Sequence, residues 1–175
     1  MTFDETITTL YSAEEISQRV AELGCLITRD YRDKDLVCIG VLKGSLPFIA
    51  DLVRTIALPL SMDFLGLSSY HGQTKSSGVV RLTSDLTNPI QGKDVLIVED
   101  IVDTGLTMGY LIDNLKTRQP RSLAICTLLH KLSQTKMPID LDYVGFEIGN
   151  EFVVGYGLDY EEIYRNLPYI GMVDE

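Results

Sequence analysis

The stretch that most restricts the possible folds is Val95-Leu96-Ile97-Val98-Glu99-Asp100-Ile101-Val102-Asp103-Thr104-Gly105-Leu106-Thr107. It begins as branched apolar residues with no polar alternation, the pattern of a strand buried on both faces of a parallel sheet. Two adjacent carboxylates, a third carboxylate and then Thr-Gly-x-Thr follow. From Met108 to Lys116 the residues are good helix formers, with Leu111, Ile112 and Leu115 at helical spacing. The order is buried strand, acidic edge, hydroxyl-glycine turn, helix. Such units make an α/β protein: a mainly parallel sheet flanked by helices.

The turn has chemical uses. A helix beginning there presents unpaired backbone N–H groups and a partial positive charge. Gly105 removes a Cβ and lets amides approach a ligand, and Thr104 and Thr107 add hydroxyl donors. Together these suit a phosphate group. Carboxylates beside a phosphate repel it unless they face another part of the ligand. Sugar hydroxyls suit them, and a divalent cation can bridge carboxylate and phosphate. The local chemistry points to a phosphorylated sugar with Mg²⁺. For Asp103 alone, an N-cap contributing roughly 0.5–2 kcal/mol is the simpler reading, but a cap explains neither the acidic pair nor both threonines. Asp-Thr-Gly also occurs in aspartic proteases, which are all-β, unlike this alternating chain.

The string Val98 to Thr107 resembles the phosphoribosyl-pyrophosphate (PRPP) motif of the type I phosphoribosyltransferases, and more narrowly of the hypoxanthine-guanine enzymes. The resemblance runs from Val41 to Tyr169 and is strongest at 98–107 and 152–160. It implies the type I phosphoribosyltransferase fold in a single domain, with a core of about 34–140 and a small hood built from 1–33 and 141–175.

Composition is compatible. The 175 residues are 45% hydrophobic and 23% charged, which fits one globular domain with a sizeable core. A formal net charge of −10 and a pI near 4.6 oppose non-specific binding to nucleic acid or to an anionic membrane. No apolar run is long enough to span a bilayer. Cys25, Cys38 and Cys126 are far apart and odd in number, so free thiols in a reducing cytoplasm are the simplest setting.

Elsewhere, Ser12 is placed to cap a helix with a stripe at Ile16, Val20, Leu23 and Ile27. Leu36–Val41 reads as a first buried strand, ending in Leu42-Lys43-Gly44-Ser45 before a helix from Leu46 to Ile56. A lysine in such a turn is most often solvated. The resemblance instead makes this the pyrophosphate loop, with a non-proline cis peptide, Lys43 as the charge and Gly44 as the close approach. Ser45 stands where several family members carry glycine. Leu60–Leu67 reads as the next strand, and Val79–Leu82 as the strand returning from a polar loop over 68–78. The resemblance makes that loop a lid, with Ser69 and Tyr70 closing over the reacting centre. His71 reads as a solvated histidine.

Ser122–Lys131 is another apolar run, and its terminal lysine lies where ligand crevices open in α/β sheets. By itself Lys131 reads as solvated; the resemblance makes it a donor to the O6 of a 6-oxopurine. Phe152 would stack on the base and Val153 would offer backbone groups to its edge. Asp159 would reach the metal–pyrophosphate and Arg165 the pyrophosphate. Glu99, Asp100 and Asp159 are the expected metal residues. The ribose hydroxyls fall to Glu99 and Asp100, and the 5′-phosphate to Thr104, Gly105, Leu106 and Thr107. Asp103 is the expected general base. The implied partners are PRPP and a 6-oxopurine, with no nucleic acid and no membrane, and the family implies a homodimer or homotetramer. A xanthine-preferring enzyme and an RNA-binding regulator on the same fold are the alternatives.

Overall fold

A computed structural model of the chain describes residues 7–69, 80–134 and 136–173. Six strands form the main sheet: β2 (Leu36–Leu42), β3 (Ser61–Ser69), β4 (Val80–Ser84), β5 (Asp94–Val102), β6 (Ser122–Lys131) and β7 (Tyr143–Ile148). Their order is β4-β3-β2-β5-β6-β7, all neighbours parallel except β3–β4. β5 is buried on both faces from Asp94 to Glu99, as its unbroken apolar run requires. The chain leaves β2 towards β3 on one side and returns to β5 on the other. The topological switch therefore lies between β2 and β5, and parallel pairing sets their carboxyl ends side by side, where ligand crevices form in open α/β sheets.

Helices cover both faces. On one lie α1 (Ala13–Asp30) and α2 (Leu46–Thr55), whose Ile16, Val20, Leu23, Ile27, Phe48, Ile49 and Leu52 join Cys38, Leu96, Val98 and Leu128 in one core. On the other lies α3 (Leu106–Lys116), where Met108, Leu111 and Leu115 pack with Ile39, Ile97 and Ile125. Ser12 caps α1 in a reciprocal box with Glu15: the Glu15 N–H donates to Ser12 Oγ at 3.3 Å, and the Ser12 N–H to Glu15 Oε2 at 2.8 Å. Among the described residues, no helix is long and apolar enough to cross a membrane.

A second, three-stranded sheet joins the two ends of the chain: β1 (Ile7–Tyr11), β9 (Ile170–Val173) and β8 (Val153–Val154), in the order β1-β9-β8. Neither β1 nor β9 is evident from the sequence patterning. β7, expected in the end-built hood, is instead an edge strand of the large sheet, because its backbone continues the parallel ladder from Cys126 to Lys131 of β6. α1, also expected in the hood, packs on the core face beside α2.

Candidate active site

Two strand-to-helix turns meet at the switch point. In the first, the peptide between Leu42 and Lys43 is cis. Ser45 is fully buried, and its hydroxyl donates to the Val41 carbonyl at 2.7 Å, while the Leu46 N–H donates to the Lys43 carbonyl at 3.2 Å. Ser45 thus ties the turn to β2. Gly44 is hemmed in from two sides. A Cβ there would lie 1.7 Å from Asp100 Oδ2, and a Cβ on Gly157 would lie 1.9 Å from the Gly44 carbonyl oxygen. Both glycines let backbone pass where no side chain fits.

In the second turn the N-cap of α3 is Gly105, with φ 80 and no side-chain cap. Asp103 is therefore not the cap, and the Leu106 N–H makes a long 3.4 Å bond to Thr104 Oγ1. The Lys136 and Met137 N–H groups both donate to the Thr104 carbonyl at 3.0 Å, bracing the loop from behind.

A cavity of about 220 Å³ opens at this corner, lined by Glu99, Ile101, Asp103, Thr104, Gly105 and Thr107 over a floor of Val41, Leu67, Val102 and Met108. The structure thus gathers most of the sequence-derived phosphosugar residues around one space. Leu106 is partly exposed beside it. Asp100 turns instead towards Gly44, its Oδ1 accepting the Ile101 N–H at 2.9 Å. Glu99 is buried, and its Oε1 accepts the Asp100 N–H at 3.3 Å. Burial first, and the neighbouring Asp100 second, push the Glu99 carboxyl well above the ordinary carboxylate range. Among the described residues, none of Glu99, Asp100 and Asp103 is in an ion pair.

Lys43, Asp159 and Arg165 form a separate charged group. Arg165 Nη2 lies 2.7 Å from Asp159 Oδ1, and Arg165 Nη1 donates to the Gly157 carbonyl at 2.8 Å. Lys43 Nζ is 2.6 Å from Glu162 Oε2, and Arg165 Nη2 is 3.4 Å from Glu162 Oε1. Glu162 has no place in the sequence reading. Nothing in Asp159-Tyr160-Glu161-Glu162 announces which acid turns inward, because the backbone of the turn decides it. Ile101 was likewise visible in sequence only as a strand residue.

Phe152 is 45% exposed and lies nearly perpendicular to Tyr160, with ring centroids 5.6 Å apart. Val153 is buried in β8 and pairs with Met172. Lys131 ends β6, half-buried. Ser69 ends β3; Tyr70 and the rest of the expected lid to Gly78 lie outside the described residues.

The expected metal residues do not form one cage. Among the described residues, no three His, Cys, Asp or Glu side chains converge as ligands. Asp159 is engaged by Arg165, while Glu99 and Asp100 sit at the strand end. Oxygen-only donors on a strand end nevertheless fit Mg²⁺, which takes one or two carboxylates and completes its shell with water and substrate phosphates.

A family model for the phosphoribosyl transferase domain matches residues 6–161. The hypoxanthine-guanine phosphoribosyltransferase of Mycobacterium avium is 54% identical over 171 residues, covering 94% of this chain and 84% of that protein. The Bacillus subtilis enzyme of the same name is 52% identical over 164 residues, covering 94% and 91%. The chain belongs to the hypoxanthine-guanine phosphoribosyltransferase family. A crystal structure of a hypoxanthine phosphoribosyltransferase from Staphylococcus aureus superimposes with a TM-score of 0.91 at 50% identity, covering 95% of this chain and 90% of that one. The fold of this phosphoribosyltransferase is thus that of its solved relatives.

Proposed function

We propose that the chain transfers the 5-phosphoribosyl group of PRPP to N9 of hypoxanthine or guanine, giving IMP or GMP and pyrophosphate. The observation that carries this is the corner cavity, where uncapped α3 amides, two threonines and two carboxyl groups share one space at the sheet's switch point. Family membership supports it.

The amides and hydroxyls of Thr104, Gly105, Leu106 and Thr107 hold the 5′-phosphate. Glu99 and Asp100 hold the ribose hydroxyls; with a raised pKa, the Glu99 carboxyl can donate as well as accept a hydrogen bond. As the bond from the ribose carbon to pyrophosphate breaks, the ring gains cationic character and the leaving group gains charge. Lys43, Arg165 and the Gly44 backbone offset that charge. Mg²⁺ held at the strand end by Glu99 and Asp100, with Asp159 free to join only on leaving Arg165, would supply further charge neutralisation on the pyrophosphate. Asp103 accepts the N7 proton of the purine, a role contributing roughly 10²–10⁴-fold. Alignment of the two substrates does more, since positioning supplies about 7–11 kcal/mol. Phe152 stacks on the base, and Val153 lends backbone groups to its edge. Lys131 donates to O6 and so disfavours adenine, whose 6-amino group is itself a donor.

Buried free thiols at Cys38 and Cys126 suit a reducing cytoplasm, and self-association into a dimer or tetramer rests on family resemblance. The test is product formation from PRPP with hypoxanthine, guanine, xanthine, adenine and orotate side by side. Turnover confined to hypoxanthine and guanine upholds the proposal. Preference for xanthine or orotate overturns the base assignment, and no turnover with any base overturns the reaction.

A further inference from the structure

The segment from Tyr160 to Tyr164 is conformationally unusual. The N–H of Tyr160 donates to the Ile163 carbonyl at 3.1 Å and the N–H of Ile163 to the Tyr160 carbonyl at 3.0 Å, closing a two-residue turn. Its central residues, Glu161 and Glu162, have φ of 51° and 66°, and Tyr164 follows at 74°. Such a mirror-image turn favours Asn and Gly; two glutamates there are strained, and strain of this kind collects at ligand clamps. The Glu162 N–H donates to Asp159 Oδ2 at 2.9 Å, fixing the turn to the residue that also pairs with Arg165. The outcome is one carboxylate aimed at both cations of the expected pyrophosphate subsite, 2.6 Å from Lys43 and 3.4 Å from Arg165. Arg165 Nε is buried with no hydrogen-bond partner among the described residues, so the guanidinium is not fully satisfied by its protein neighbours.

We propose that Glu162 is a resident stand-in for pyrophosphate: its carboxylate occupies Lys43 and Arg165 in the unliganded chain and is displaced when the diphosphate group arrives. This rests on the reading of Lys43 and Arg165 as pyrophosphate residues. The arrangement does two things. It keeps a lysine and an arginine ordered and neutralised next to each other while the site is empty, and it gives the departing pyrophosphate an internal competitor. Because the Lys43 and Glu162 side chains are 69% and 65% exposed, the competitor is weak and easily displaced.

The experiment is calorimetric titration of the full chain with inorganic pyrophosphate in the presence of Mg²⁺, comparing wild type, Glu162→Gln, Glu161→Gln and Lys43→Ala. Glu161→Gln removes the same charge from the same turn without touching the cations. Glu162→Gln is expected to bind pyrophosphate about two- to fivefold more tightly than wild type, a range set by the modest strength of exposed ion pairs. Glu161→Gln should stay near wild type. Equal affinities for the two glutamine variants, or weaker binding by Glu162→Gln, overturn the stand-in role alone. Wild type that does not bind pyrophosphate, or Lys43→Ala that binds it as well as wild type, overturns the subsite reading itself.

Discussion

Gly157→Ala offers the sharpest test of how the 152–160 segment and the Lys43-Gly44 turn depend on each other. Gly157 has φ 102, where an L side chain costs about 1–2 kcal/mol. An added Cβ would also lie 1.9 Å from the Gly44 carbonyl and 2.9 Å from Pro47 Cδ. The obstacle is backbone, so no side-chain rotation relieves it, and overpacking of this kind adds about 1–3 kcal/mol. The expected destabilisation is about 2–5 kcal/mol, or a Tm lower by roughly 4–20 °C for a chain of this size. Gly92→Ala is the control: φ is 71°, yet nothing lies within 4 Å of its added Cβ, so it incurs the backbone cost alone. Its Tm should fall by only about 2–8 °C. To clear the contact in Gly157→Ala, Gly44 must shift by about 1 Å, and misplacement on that scale costs about 100-fold in kcat/KM for PRPP. The assays are thermal unfolding and initial-rate kinetics. A Gly157→Ala protein that melts with Gly92→Ala and keeps its kcat/KM would refute the reasoning.

Three further outcomes are expected. Asp103→Asn should lower turnover by roughly 10²–10⁴-fold while leaving PRPP affinity nearly intact, because Asp103 lines the cavity without bracing it; loss of PRPP binding in a titration would contradict its assignment as base. Lys131→Ala should relax selection for 6-oxopurines, read as the ratio of guanine to adenine turnover; an unchanged ratio removes Lys131 from base recognition. Glu99 titrates above the ordinary carboxylate range when folded, so the folded state holds the extra proton. Its stabilising effect is therefore complete at acidic pH, below the unfolded value, and is lost as pH rises towards the folded one. Glu99→Gln should flatten that decline in denaturant unfolding of the unliganded protein between acidic and neutral pH, and a slope identical to wild type would count against a protonated Glu99.

The parts of the site that were legible in the sequence are those fixed by local chemistry. An unbroken apolar run suits a strand buried on both faces, and a glycine after three acids and a threonine marks the start of α3, so β5 and α3 could be read directly. What the sequence did not disclose depends on distant parts of the chain. Asp103 reads as an N-cap by composition, but the left-handed Gly105 takes that position. β1 and β9 are short, and they become strands only by pairing with each other across the two ends of the chain. Asp100 looks equivalent to Glu99, yet the bare Cα of Gly44 draws it to the other side. Glu162 is aimed by a turn geometry that its own residue type disfavours.

The strand β8, which carries Val153, is only two residues long and among the described residues is held by one antiparallel neighbour, β9, which in turn leans on β1. The corner cavity after β5 hangs from a six-stranded sheet with a core on each face. Local opening costs least where few buried contacts must break. On warming, the three-stranded sheet is expected to open before the six-stranded one, which would loosen the proposed Val153 contact to the base while Lys131, on β6, and the corner cavity stay in place.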